Sequence, residues 1–288
     1  MVNSALLMVA GVAAYASAAC SREALETATA AYLKALAAGD SSKLPLAAGA
    51  SYAENDTPLD IAKGILSKPI TVDFDRTLYD TTKCAAFAEI DAATSAHPYV
   101  IHTQLLLGAD GAITKLESVV TDDGDWLFNA TAHLEWNKQE TWTPIPEKER
   151  DSREVIQAAV DAYLDNWAKP DLPVPHGTPC ARLEAGLYTG EGKLGANTCD
   201  MGAFPEPLNI TNRRYVIDET IGAVDVFNDF PWLESTLKPG EHTASSNMLR
   251  VQGGKVRYIH EITVCLSPSC GRQLPPPAEE KPAEKKEE

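Results

Sequence analysis

The sequence predicts an α+β fold of two tandem units, each with N-terminal helices packed on one face of a curved antiparallel sheet. One observation is a helical segment that occurs twice in the chain. Another is that strand-like segments follow one another through short turns and not through helices, which argues against a parallel βαβ arrangement. With 288 residues, of which 44% are hydrophobic, the chain is long enough for two domains with buried cores.

The repeated helical segment spans residues 21–36 and recurs at residues 152–167, with Ser-Arg-Glu and Ala-Tyr-Leu identical in both copies. In each copy, apolar residues return every three or four positions, which is the spacing of an amphipathic helix. These residues are Leu25, Ala28, Tyr32 and Leu36 in the first copy, and Ile156, Ala159, Tyr163 and Trp167 in the second. Each segment is therefore the expected first helix of its unit.

Two further matches follow in the same order. Residues 111–120 match residues 254–263, and each follows a glycine-containing turn, so both are predicted as the second strands of hairpins. A weaker match sets residues 80–87 against residues 218–225. Three matches in one order indicate a tandem duplication.

The predicted boundaries are 1–19 for a signal peptide, 20–145 and 146–271 for the two units, and 272–288 for a disordered tail. The charged, proline-marked segment 143–151 is the natural boundary between the units. The tail begins with three prolines and continues with Ala, Glu, Lys and Pro, so it offers nothing apolar to bury.

The N-terminus predicts secretion. Residues 6–14 are almost wholly apolar, and Ala16-Ser17-Ala18 has the small side chains of a cleavage site. This apolar run of roughly fifteen residues is shorter than the ~20 that span a bilayer, so we expect no membrane span. The net charge of −16 argues against nucleic-acid partners.

Six cysteines in a secreted chain favour disulfides over metal thiolates. Six cysteines allow fifteen pairings, and the sequence does not select among them. We favour Cys20 with Cys84, Cys180 with Cys199, and Cys265 with Cys270. Three Asn-X-Thr sequons predict glycosylation at Asn129, Asn209 and Asn55, with Asn55 the poorest because Pro58 follows it.

The helix-then-strands order resembles the nuclear transport factor two-like cone, also called the SnoaL-like fold. The second unit further resembles an uncharacterised domain of secreted fungal proteins, carried by residues 174–184, 212–219 and 249–260, and residues 124–129 of the first unit share the likeness. The resemblance implies two cones, each with a pocket between helix and sheet, but no settled activity. Ser-Asn-Met at residues 246–248 departs from the family, which implies a histidine there.

The last strand carries the candidate catalytic histidine. Alternation places Tyr258 and His260 on the apolar face that we expect to look toward the helices and the pocket. Burial would lower the pKa of His260 and a nearby carboxylate would raise it again, giving a proton carrier near neutral pH. Asp218 or Glu219 could orient it. A hydrogen-bonded core histidine is the alternative interpretation.

Five residues are candidate ligand-binding groups. They are Tyr258, Arg214, Arg182, Glu184 and Tyr163. Structural roles remain open for them: Arg182 and Glu184 could pair with each other, and Tyr163 could be a helix-to-sheet packing residue. Arg213 and Arg214 point to opposite faces, so at most one of them enters a pocket.

We therefore expect a secreted, disulfide-stabilised glycoprotein that binds a small molecule or an extracellular protein. The alternative is a lyase, isomerase or cyclase without a cofactor, acting on a small polyketide-like or sugar-like molecule with His260 as general acid/base. The sequence does not decide whether the protein is an enzyme. No metal is expected, because the other histidines show no zinc-ligand spacing.

Overall fold

The computed structural model describes residues 20–202, 207–231, 234, 237–238 and 241–272. These residues form three α-helices and twelve strands. The helices are α1 (Arg22–Ala38), α2 (Ala130–Asn137) and α3 (Arg153–Asn166). The predicted signal peptide and nearly all of the predicted tail lie outside the described residues.

The strands form two six-stranded sheets of identical strand order. The first sheet has the order β2-β1-β6-β5-β4-β3 and consists of β1 (Leu46–Glu54), β2 (Thr57–Pro58), β3 (Phe74–Asp80), β4 (Ala85–Ala92), β5 (Tyr99–Leu107) and β6 (Ile113–Thr121). The second has the order β8-β7-β12-β11-β10-β9 and consists of β7 (His176–Glu184), β8 (Leu187–Tyr188), β9 (Thr211–Asp218), β10 (Ala223–Phe230), β11 (Thr243–Val251) and β12 (Val256–Thr263). The predicted α+β class and the two tandem sheet units are confirmed.

One part of the sheet prediction is wrong, because neither sheet is purely antiparallel. β1 pairs with β6 in parallel, and β7 pairs with β12 in parallel. The reason is topological: β3 to β6 form a meander of adjacent antiparallel strands, and β1 lies beside the last of them. A long connection from β2 to β3 lets the chain cross to the far edge of the sheet.

α1 and α3 begin at the duplicated serines. The Ser21 hydroxyl accepts a hydrogen bond from the Ala24 amide, and the Ser152 hydroxyl accepts one from the Val155 amide, so each serine satisfies an otherwise unpaired first-turn donor. α1 ends at Gly39, whose φ of 62° lies in the left-handed region that favours glycine. Any other residue here would also place its Cβ against the backbone of Pro69.

Each of these two helices buries its apolar face against its own sheet. Leu25 and Tyr32 of α1 join the core of the first unit, and Ile156 and Tyr163 of α3 join that of the second. A third apolar cluster lies between the sheets and includes Phe87 of β4. The layers therefore run helix, sheet, sheet, helix, and both faces of the central strands are buried. This is why all eight residues of β4 and of β10 are buried.

Reciprocal ion pairs join the two units. Arg22 of α1 donates two hydrogen bonds to Asp218 at 3.0 and 2.9 Å, and Arg153 of α3 donates two to Asp80 at 2.8 and 2.6 Å. Asp80 is the last residue of β3 and Asp218 is the last residue of β9. Each also accepts a hydrogen bond from a backbone amide of the other unit: Asp218 from Tyr79, and Asp80 from Ile217. The units thus meet as in an isologous dimer, with equivalent residues exchanging equivalent contacts.

All three favoured disulfides are confirmed: Cys20–Cys84, Cys180–Cys199 and Cys265–Cys270. Asn129 and Asn209 are exposed, whereas the side-chain amide of Asn55 binds both backbone groups of Val120. Glycosylation of Asn55 would break that contact. Within the described ranges, no helix is long and apolar enough to cross a membrane.

Replacing Arg153 with methionine should lower the free energy of unfolding by about 3 kcal/mol, because the carboxylate of Asp80 is fully buried and would lose its cation. Lys43→Met is the control: its 3.7 Å pair with Asp40 is exposed, so its loss should leave the free energy of unfolding almost unchanged. Urea unfolding measures both. Equal losses in the two variants would contradict the structural role of the reciprocal pairs.

Candidate functional site

Polar side chains are buried where the two sheets face each other. Along β4, Ala86, Ala88 and Ile90 face α1, so the intervening Glu89 points at the opposite sheet. Glu89 has direct cross-strand neighbours in Arg76 of β3 and His102 of β5. Side chains paired in this way stand close enough to interact. Glu89 is thereby the centre of a buried polar group.

His260 of β12 lies opposite Glu89, and the expectation that it faces the helices is wrong. Val256 does pack with α3, but the register shifts between Val256 and Tyr258, so the alternation inferred from Val256 does not continue. Tyr258, His260 and Ile262 face the first unit instead. The helix-facing residue of this strand is Ile259.

Two carboxylates hold His260. Its Nδ1 lies 2.6 Å from Oε1 of Glu89, and its Nε2 lies 2.7 Å from Oε2 of Glu140. Burial alone would lower the pKa of His260, but Glu140 and Glu89 raise it to about 9. Burial would raise the pKa of Glu89, yet His260 and Arg76 hold it well below its usual range. The charged forms stabilise one another.

Two more histidines point at the same carboxylate. His102 Nε2 lies 3.5 Å and His133 Nε2 lies 3.9 Å from Oε1 of Glu89, and neither nitrogen has a hydrogen-bond partner. Their Nδ1 atoms are engaged elsewhere, by Ser246 at 2.7 Å and by Asp91 at 2.5 Å. We call Glu89, His102, His133 and His260 the histidine cluster.

The segment between α2 and α3, residues 138–152, connects the two units and covers this cluster; we call it the linker. Glu140 and Trp142 follow α2, and the Trp142 indole donates to Glu140 while its ring meets His260 edge-on at 5.4 Å. The same ring stacks on Tyr258, with ring centroids 5.7 Å apart. The linker thereby separates the histidine cluster from a pocket on its outer side.

That pocket has a volume of about 810 Å³ and lies between the linker and the β11–β12 hairpin. We call it the linker pocket; its lining includes Thr143, Pro144, Arg250, Arg257 and Tyr258. Arg250 is 5% exposed and donates from Nη2 to the Thr143 carbonyl, while its Nη1 has no partner. Burial lowers the pKa of Arg250. Among the described residues, no carboxylate lies within ion-pair distance of it.

Neither acidic residue predicted to orient His260 does so. Asp218 is bound to Arg22 and to the turn amide of Thr220, and Glu219 is exposed on that turn. The carboxylates at His260 are Glu89 and Glu140, which come from the other unit and the linker. The prediction failed because Asp218 ends β9, the edge strand of the second sheet, which β10 and β11 separate from β12.

Three predicted ligand-binding residues do come together beneath α3. Arg182 pairs with Glu184 at 3.0 Å and with Glu261 at 3.1 Å, and the buried hydroxyl of Tyr163 has no partner. Burial, and then Glu184, raise the pKa of Glu261 to about 7. Arg182 and Glu184 therefore pair with each other, which is the structural role that the sequence left open for them.

Arg214 lies on the opposite side of the interface and points away from Arg213, as expected. It pairs with Asp56 at 2.6 Å and approaches Glu117 at 3.4 Å, beside an open pocket of about 500 Å³. The strand pairing shows that this region corresponds to the histidine cluster. At the positions that are Arg76, Glu89 and His102 in the first unit, the second unit has Arg214, Phe227 and Ser246. The two sides have diverged in chemistry.

Sequence reasoning missed Glu89, Glu140, His102, His133 and Arg250. Each stands alone in an apolar strand, a short helix or the linker, and the segments meet only in the folded chain. The one usable signal was a charged or imidazole side chain inside otherwise apolar strands, at Glu89 and at His102.

Two groups of side chains could hold a cation. Donor atoms of Glu89, His133 and His260 lie within 4.8 Å of one another in the buried interface, and those of Asp56, Asp229 and His242 do so nearer the surface. All three members of the first group are buried, whereas the second group contains an exposed histidine.

Residues 149–263 match a family described as a domain of unknown function, DUF8021. The match runs from just before α3 to the last residue of β12, so it covers the whole second sheet. No curated protein matches the chain.

Replacing Asp225 should change the dependence of stability on pH. Asp225 is buried on β10 and accepts from Gln104 at 2.6 Å and Ser246 at 2.7 Å. Burial raises its pKa to about 8, against about 4 in the unfolded chain. Between these values the native state binds more protons, so its contribution to stability falls as pH rises, by at most about 1.4 kcal/mol per pH unit.

Asp225→Asn removes this titration. The free energy of unfolding of the variant, relative to wild type, should therefore rise steadily from pH 5 to pH 8 and level off above it. Urea unfolding of both proteins across that range measures the difference. A difference independent of pH would show that Asp225 is ionised throughout.

Proposed function

We propose that the protein is a secreted module that binds a small organic anion in the linker pocket. The observation that carries this proposal is Arg250, a buried guanidinium at the pocket wall whose Nη1 has no partner. A buried cation without a carboxylate costs stability, and such a cost is expected where a ligand supplies the missing charge.

The chemistry of the wall favours a carboxylate. A guanidinium presents a planar fork of donors that matches the two oxygens of a carboxylate. Arg257 lines the same pocket and adds a second positive charge. Glu149 also lines the pocket, so the two arginines leave a local excess of one positive charge in a chain of net charge −16, which favours an anion.

The rest of the wall favours an organic ligand over a bare ion. Tyr258 offers a ring that is held flat by stacking on Trp142, and Pro144, Pro146 and Pro179 contribute apolar surface. A volume of about 810 Å³ falls in the range of small-molecule sites. The proposed ligand carries a carboxylate on an aromatic or sugar-sized body.

The fold that we propose for each unit is the SnoaL-like cone of the secreted fungal family described above. Two features support it: one helix shares a buried apolar core with each sheet, and both units share one strand order. Binding is favoured over the lyase, isomerase or cyclase alternative because His260 is fully buried and both its ring nitrogens contact carboxylates.

Titration of benzoate into the wild-type protein by calorimetry tests the proposal, with benzamide as an uncharged control of the same shape. We expect benzoate to bind and benzamide not to bind. Arg250→Met should weaken benzoate binding at least about tenfold, since a hydrogen bond to a charged group contributes ~1.5–3 kcal/mol. The melting temperature of the variant should not fall, because the substitution removes a buried charge.

Arg214→Met is the matched control, because it removes the same side chain from the opposite side of the interface. It should leave benzoate binding unchanged. Two outcomes would contradict the proposal: equal affinity of the wild type and Arg250→Met, or no binding of benzoate, galacturonate or citrate by the wild type.

A further inference from the structure

The geometry points to a structural metal site in the histidine cluster: a divalent transition-metal ion bound by Glu89, His102, His133 and His260 between the two units. Nothing in the linker pocket enters this inference. Donor atoms of Glu89, His133 and His260, all fully buried, lie within 4.8 Å of one another, and Nε2 of the buried His102 lies 3.5 Å from the same carboxylate oxygen of Glu89.

The hydrogen bonds of His133 determine which of its nitrogens carries the proton. Its Nδ1 lies 2.5 Å from Oδ1 of Asp91, whose other oxygen accepts from Asn137. A carboxylate can only accept, so Nδ1 carries the proton and Nε2 has a free lone pair. That lone pair points at the carboxylate oxygen of Glu89, 3.9 Å away.

His102 repeats the arrangement. Nδ1 of His102 lies 2.7 Å from the Ser246 hydroxyl, and when Asp225 is ionised this hydroxyl donates to Asp225 and accepts from Nδ1. The Nε2 lone pair then also faces Oε1 of Glu89, at 3.5 Å. Glu89 is balanced by Arg76 and by the Nδ1 proton of His260. The Nε2 atoms of His102 and His133 that point at its oxygen, in contrast, have no partner. A metal ion bound here takes up those two lone pairs and displaces the His260 proton.

The third histidine is oriented in the same way. Nε2 of His260 lies 2.7 Å from Glu140, which leaves Nδ1 directed at Oε1 of Glu89. All three rings thus have one nitrogen held by an acceptor and the other aimed at the same oxygen. An acceptor that holds the second nitrogen of a histidine is the usual outer support of a metal ligand.

The donor set defines the class of ion. Three imidazole nitrogens and one carboxylate oxygen suit zinc and its neighbours in the first transition row, and disfavour calcium and magnesium, which prefer oxygen alone. Four donors on a tetrahedral ion with bonds of about 2.0 Å lie about 3.3 Å apart. The facing nitrogens of His260, His102 and His133 lie 2.6, 3.5 and 3.9 Å from Oε1 of Glu89, so a bound ion moves His260 away from Glu89. Four protein ligands without solvent access describe a structural site.

The ligands come from four segments of the chain. Glu89 and His102 belong to the first sheet, His133 to α2 and His260 to the second sheet. An ion bound by all four would link both units and the connecting helix. Our expectation that no metal binds came from spacing along the chain, which detects only ligands that lie near one another in sequence.

Cobalt(II) is the probe, because its visible spectrum reports coordination by nitrogen and oxygen in a tetrahedral field. The full chain is purified without metal-affinity steps, unfolded in denaturant with its disulfides intact, and refolded with or without one equivalent of Co²⁺. Metal content after desalting is measured by mass spectrometry. We expect one Co²⁺ per chain, a tetrahedral spectrum, and a higher unfolding temperature than that of the metal-free protein.

Variants separate the buried cluster from surface binding. His133→Gln and His102→Gln should each lower Co²⁺ affinity at least about a hundredfold, and Asp91→Asn, which only positions His133, by about 10–100-fold. His97→Gln changes an exposed histidine, and His242→Gln disrupts the other candidate group, so both controls should bind one Co²⁺ as the wild type does.

The site is wrong if the refolded wild type retains no Co²⁺. It is equally wrong if His242→Gln, and not His133→Gln, abolishes retention. Should the histidine variants fail to fold, the wild-type stoichiometry and spectrum still decide the question, and Asp91→Asn provides the second comparison.

Discussion

Two sheets packed face to face bury the facing surface of each, so every polar side chain on those surfaces needs a partner inside the interface, from its own sheet or from the other. The apolar cluster around Phe87 occupies part of that interface, and the reciprocal pairs of Arg22 and Arg153 close its edge. The remaining space holds the histidine cluster. Its burial makes the interactions strong, because neither water nor salt competes with them.

Duplication explains the frame, and divergence explains the chemistry. Both units retain the same strand order, the same serine cap and the same aspartate at the end of the third strand. Equivalent positions at the interface nevertheless differ: Glu89 corresponds to Phe227, and His102 to Ser246. The serine that replaces a histidine in the second unit now accepts a hydrogen bond from the histidine of the first.

The connecting segment makes the molecule asymmetric. α2 contributes His133, and the residues after it place Glu140 and Trp142 over one side of the interface. On the opposite side none of the described residues forms such a cover, and there Arg214 lines an open pocket with Asp56. One side of the interface is therefore enclosed between the sheets and the linker, while its counterpart is open to solvent.

How much could be predicted from the chain depends on how local each feature is. Helix spacing, hairpin turns and the repeated Ser-Arg-Glu and Ala-Tyr-Leu segments are local, so α1, α3, the second strands of the two hairpins and the tandem sheets were predicted correctly, whereas α2 was not predicted. The pairing of cysteines was also predicted correctly. The parallel pairing of β1 with β6 was not, because the order of strands in a sheet depends on contacts distant in sequence.

The sequence by itself determined the fold class and the two units, since periodicity and repetition are properties of neighbouring residues. Tertiary structure alone decided which face of β12 carries His260, because the shift after Val256 reverses an alternation that sequence counting assumes to continue. Tertiary structure also decided its partners: Glu89 lies 171 positions away and Glu140 lies 120 positions away, and only packing of the second sheet on the first brings them together.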